Sequence, residues 1–157
     1  MDQPRKVVIL GIGNLLLKDE GIGVHLIQTL EKETLPPGLE LVDGGTSTLN
    51  ILPLIKGADK IIVVDAMQAG GEPGSIYRCR PSDLIPSKDT PMSLHHIDFI
   101  QALKMAKLLG DDLEPRTIIF GVEPQEIGWE IGLSPPVQGK MPFLQKLVIE
   151  EALKDDQ

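Results

Sequence analysis

The feature that most constrains this chain is a set of short, wholly apolar runs separated by helical periodicities. Lys60–Val64 (KIIVV) is the sharpest and ends at Asp65. A run of β-branched residues with no polar alternation has no face to offer water, so it reads as a strand buried on both sides. Lys6–Gly11 (KVVILG) and Arg116–Val122 (RTIIFGV) repeat the pattern. Leu39–Val42 is a further strand, closed by Asp43-Gly44-Gly45, and Gly74–Arg80 (GSIYRCR) alternates as a short edge strand does. Between them, Ile22, Leu26, Ile27 and Leu30 share one helical face, which Pro36-Pro37-Gly38 brings to an end. Ser47 or Thr48 caps a short helix with Leu49, Leu52 and Ile55 inward; Leu94–Leu109 and Met141–Leu153 complete the helical segments. Strands alternating with helices specify an α/β class, with a mainly parallel sheet covered on both faces. The 157 residues suit one domain spanning 1–157. Pro81–Ser93 and Glu123–Gly139, each with three prolines, are expected to be long irregular segments, and such loops in a small domain tend to carry function.

Charge and cysteine content narrow the function. The net charge of −8 repels phosphate backbones and argues against a nucleic-acid partner. The single cysteine, Cys79, excludes an internal disulfide and a cysteine-cluster metal site. The apolar N-terminal run is broken by two glycines and an Asn, unlike a secretory signal or a membrane span. The expectation is a soluble, cytoplasmic protein with no membrane partner.

In open α/β sheets, ligands bind beyond the carboxyl ends of the strands. Glu20 follows the first strand and its loop, Asp43 closes the second, Asp65 the third, and Glu123 the last. Each has a plainer reading. Asp65 could cap a turn, Asp43 suits a turn before Gly-Gly, Glu20 could be a first-turn helix acid, and Glu123 a loop acid before Pro124. Their joint arrival at one rim is the signal. His25 reads as a surface or boundary residue of the first helix. His95 and His96 open a helix after a proline-rich loop, where a ring nitrogen can reach the strand ends. One imidazole with two carboxylates makes a mixed N/O site for a divalent metal. Gly11-Ile12-Gly13 suggests a dinucleotide fingerprint, yet its third glycine position holds Leu16, which weakens a nucleotide-binding oxidoreductase. Gly21, Gly23, Gly44 and Gly45 lack side chains near these carboxylates and are expected to admit another backbone, such as an extended substrate tail.

Five segments taken together, GIGNLLLKDEGIG (11–23), LVDGGT (41–46), IIVVDA (61–66), SLHH (93–96) and GVEP with GLSP (121–124, 132–135), resemble the nickel–iron hydrogenase maturation endopeptidases in content and order. The likeness runs over about residues 6–145. It implies a three-layer α/β/α sandwich around a five-stranded mixed sheet, with GSIYRCR as the antiparallel strand. It implies an enzyme that removes a C-terminal extension from the hydrogenase large-subunit precursor after nickel insertion. It implies nickel, supplied with the precursor, on Glu20, Asp65 and His95, and a part in activity for Asp43. His96 stands where many members carry an acid or amide, and it can assist or replace His95. Two roles for nickel stay open. In one it polarises the scissile carbonyl or acidifies a water; in the other it is a recognition mark and a carboxylate, foremost Asp43, is the general base. A nickel-binding chaperone without protease activity would use the same ligands.

Overall fold

The computed structural model describes residues 5–46, 48–84 and 94–154, with the side chains of residues 48, 49, 94 and 95 outside that description. Strands β1 (Val7–Ile12), β2 (Leu39–Gly45), β3 (Lys60–Ala66), β4 (Ile76–Cys79) and β5 (Thr117–Val122) form one sheet in the order β2-β1-β3-β5-β4. All neighbours are parallel except β4, which runs antiparallel to β5. The helices are α1 (Ile22–Leu30), α2 (Leu52–Ile55), α3 (Leu94–Leu108) and α4 (Pro135–Leu153).

The alternation of side chains along each strand divides the core in two. Val7, Ile9, Ile62, Val64, Ile118 and Phe120 pack with α1 and α4. Val8, Leu10, Ile61, Val63 and Ile119 pack with α2 and α3. Burial on both faces is what the unbroken apolar runs required, and the layers are the α/β/α sandwich expected from the sequence. Ile9, Leu26 and Ile62 are wholly buried, each worth about 1.5–3 kcal/mol relative to exposure.

Two glycines set the depth of α1. A Cβ on Gly11 would fall on the Gly23 carbonyl, and one on Gly23 would fall on the Val64 carbonyl. Helix backbone therefore rests directly on strand backbone. The spaces left by Gly21 and Gly23 are thus taken by the chain itself: Leu15 Cα lies 2.9 Å from where a Gly21 Cβ would be. Gly44 faces Leu10 and Ile12. Of the four glycines expected to admit a substrate, only Gly45 faces open space, with Asp43 Oδ1 3.8 Å away.

Several segments differ from the sequence reading. Asp43-Gly44-Gly45 continues β2 instead of closing it. The expected irregular stretch after Glu123 ends at Ser134, because α4 begins at Pro135, not Met141. Pro135 and Pro136 sit in the first turn, where a missing N–H costs nothing, and Pro142 lies on an exposed face of the helix. Lys60, expected at the start of a strand, is 1% exposed, with Nζ 2.6 Å from Glu151 Oε2 on α4. Arg78 Nε on β4 donates to the other oxygen of Glu151 at 2.8 Å. Burial disfavours the Glu151 carboxylate, but the hydrogen bonds and charges of Arg78 and Lys60 outweigh it and bring its pKa down to about 2. Residues 85–93, most of the other expected irregular stretch, lie outside the described residues.

Candidate active site

The strand order reverses at β1, whose two neighbours are reached by connections running in opposite directions. The crevice beyond the carboxyl ends of β1 and β3 is therefore the place where an open α/β sheet binds ligands. Gly13 and Asp65 stand there. Gly13 has φ +133°, and a Cβ on it would strike the Glu20 carbonyl and lie 3.2 Å from Asp65 Oδ1. Only glycine allows the chain to pass between these two residues. The fold thus brings the Glu20 backbone and the Asp65 carboxylate to either side of one residue.

Asp65 is 1% exposed. Its Oδ1 accepts the Ala66 N–H at 2.8 Å, and its Oδ2 lies 2.9 Å from His96 Nε2 in the first turn of α3. His96 is also buried. The parity of β3 turns Asp65 away from Val64 and toward the α3 side, which explains how a residue 31 positions later meets it. The imidazole of His95 lies outside the described side chains. Among the described residues, no three carboxylate, imidazole or thiol groups are gathered closely enough to hold a metal ion.

Asp43 is placed differently. It pairs in register with Gly11, which is level with Val64, so its side chain projects toward the α1 side of the sheet, opposite to Asp65. It is exposed, and its Oδ1 accepts the Gly45 N–H at 3.0 Å. Glu123 reaches the same rim but is committed to the chain. Its Oε1 accepts from the N–H groups of Ala69 and Gly71 and from the Tyr77 hydroxyl, at 2.9, 3.0 and 2.7 Å. Partial burial and this carboxylate push the Tyr77 pKa up.

Asp19, next to Glu20, is a functional residue that no local sequence pattern singles out. It is 1% exposed, in a 3-10 turn spanning Lys18–Gly21. Oδ2 accepts from the N–H groups of Gln125 and Glu126 and from Ser134 Oγ, at 2.9, 3.0 and 2.6 Å; Oδ1 accepts the Ser134 N–H at 2.8 Å. Burial penalises its charge, but these donors outweigh the penalty and hold its pKa below the ordinary value. The only available sequence signal was the Asp19-Glu20 pair itself, since the donors lie more than 100 positions away. Lys18 strengthens the same join. Its Nζ lies 2.8 Å from Glu126 and 3.2 Å from Glu130, and its backbone takes φ +53° to place it. His25 sits half-buried on α1, and burial lowers its pKa.

A family model described as hydrogenase maturation protease (HycI) matches residues 24–151. The chain belongs to the hydrogenase maturation protease family. It is 35% identical to the hydrogenase expression/formation protein HupD of Rhodobacter capsulatus, over 98% of this chain and 72% of that protein. It is 30% identical to the hydrogenase 2 maturation protease of Escherichia coli, over 91% and 88% of the two chains. The fold agrees: the hydrogenase maturating endopeptidase HybD of Escherichia coli superposes with a TM-score of 0.83 at 28% identity, over 93% of this chain and 91% of that one. The resemblance carried by the five motifs is therefore a family relation, and the chain is a peptidase of hydrogenase maturation. A chaperone lacking protease activity loses its footing against relatives that are proteases. No helix among the described residues is long and apolar enough to cross a membrane.

Proposed function

We propose that this peptidase acts in the cytoplasm on the nickel-loaded large-subunit precursor of a nickel–iron hydrogenase and removes its C-terminal extension. The observation that carries this reading is the buried Asp65 carboxylate, 2.9 Å from an imidazole and beside Glu20, at the switch point of a maturation-protease fold. Nickel arrives with the precursor and is part of the substrate. A carboxylate and an imidazole make a donor set of borderline hardness that suits it. Glu20, Asp65 and His95 would hold it, with His96 alongside, and when held it would polarise a carbonyl or acidify a water.

The chain's own groups account for the rest. Water adds to the scissile carbonyl carbon, and its proton passes to a carboxylate; the C–N bond then breaks, and the leaving amine takes a proton back. Asp43 suits the role of base, because Gly45 orients one oxygen and leaves the other open to solvent. Its side chain and that of Asp65 project from opposite faces of the sheet, so the bond to be cut would lie across the end of β1, between the two.

The test is a gel assay of the purified protein with nickel-loaded precursor. The wild type should shorten the precursor, while Glu20→Gln and Asp65→Asn should slow cleavage at least about a hundredfold. His95→Ala and His96→Ala, compared side by side, identify the ligand by loss of nickel binding. Cleavage lost with nickel binding intact in Asp43→Asn supports the base; an uncut precursor with the wild type defeats the proposal.

A further inference from the structure

Beside Glu20, the fold displays apolar surface that its core does not use. Trp129, the chain's single tryptophan, is 83% exposed, and Ile131 is 66% exposed. Leu16 and Ile127 are also exposed. A parallel bridge pairs Leu17 with Glu130, through Lys18 N–H to the Glu130 carbonyl at 2.8 Å and Glu130 N–H to the Leu16 carbonyl at 3.0 Å. The bridge brings the loop that carries Leu16 alongside the loop that carries Trp129. Two loops 112 residues apart thus contribute to one patch.

The patch is held firmly. Asp19 spends a buried carboxylate on Gln125, Glu126 and Ser134, which bracket Ile127, Trp129 and Ile131 in sequence. Lys18 adopts an unfavourable φ while its Nζ reaches Glu126 and Glu130. A chain that only needed to close this loop had no reason to fix a tryptophan in water at that spot. The residue that anchors the loop directly precedes Glu20, so platform and site share one anchor. Glu126 and Glu130, in the same loop as Trp129, are about 60% exposed and share Lys18, and this surplus of negative charge favours a partner surface with basic side chains around an apolar centre.

We propose that Trp129, Ile131 and Leu16 form the docking surface for the folded body of the protein substrate, with Trp129 as the anchor that enters an apolar pocket. This rests on the proposed function and adds the place where the substrate is recognised. A tail alone offers little to discriminate one protein from another; an anchored platform next to the scissile bond selects the body to which the tail belongs. Aromatic anchors of this kind dominate binding at protein interfaces.

A fluorotryptophan label in this chain alone gives a single fluorine resonance. Unlabelled precursor should shift or broaden it. In the cleavage assay, Trp129→Ala should raise KM at least about tenfold with kcat little changed, and Trp129→Phe should recover most of the loss. Trp129 is exposed, so either variant is expected to fold, and a circular dichroism melt checks that it does. If the wild type cuts while the resonance stays still, or Trp129→Ala keeps its KM, the docking surface is wrong and the function stands. A resonance that moves with this chain's own concentration and not with precursor assigns the patch to a second copy and overturns the proposal. If the wild type cuts nothing, the functional reading falls and the docking surface with it.

Discussion

Asp19 and Glu151 are both 1% exposed, both are ionised, and both have pKa values pushed below the ordinary range. They are held in opposite ways. Glu151 meets three cations: Lys60 and Arg78, which join α4 to the sheet, and Lys154 beyond the end of its own helix, at 3.6 Å. Asp19 meets three backbone N–H groups and one hydroxyl, with no cation among the partners described for its carboxylate. Ion pairing fixes a distance and tolerates some rotation; a carboxylate fed by several N–H groups fixes the path of a backbone. Glu151 therefore secures one layer to another at the far end of β3, roughly 16 Å from Asp65 at 3.3 Å per residue. Asp19 shapes the loops around the site. One carboxylate serves stability and the other geometry.

The largest effect should come from Glu151→Ala. It leaves Lys60 buried without its carboxylate, and urea unfolding should show a loss of about 3–5 kcal/mol. Cleavage by the protein that remains folded should keep its KM. Asp19→Ala should reverse the balance. Water can replace it at the exposed Gln125 and Glu126, so the stability loss should be nearer 2 kcal/mol, while KM and kcat both suffer as Glu20 and the Trp129 loop lose their common anchor. Equal kinetic damage from the two variants would erase the distinction.

The smallest effect should appear in acid. A carboxyl whose pKa is lower folded than unfolded contributes stability above its unfolded value, near 4.5 for Glu151, and loses it as pH falls toward the folded value of about 2. Stability should therefore decline across that interval. A Glu151→Gln variant should lose part of this slope and retain the part due to Asp19, whose folded pKa is likewise lowered. A slope identical to that of the wild type would show that Glu151 is not charged by its partners as described.

Much of the scaffold was legible because it rests on local pattern. KIIVV reads as a doubly buried strand without any knowledge of its neighbours, and the rule about strand ends then directs attention to Asp65. What escaped depends on distance or on context. The start of α4 was hidden by prolines that break a helix interior but suit its first turn. Lys60 looked like an ordinary charge at a strand start, and its partner lies 91 residues away. Asp19 was overshadowed by Glu20, because nothing local distinguishes a helix leader from an anchor whose donors sit on a distant loop. Asp43 and Asp65 looked equivalent at their strand ends, and only the register shows that they face opposite sides. The dipeptide His95-His96 offered two imidazoles for one position; the structure seats His96 against Asp65.

The contact between Gly11 and Gly23 works like a mechanical stop. With no side chain as a shim, the first helix can neither sink nor be raised without the backbones colliding or parting. The turn carrying Lys18–Gly21 leads straight into that helix, so its height above the sheet is set by a contact that no rotamer can retune. Adding one methyl group at either glycine would lift the helix and displace the acidic turn ahead of it, disabling the enzyme from a position walled in by the chain's own backbone.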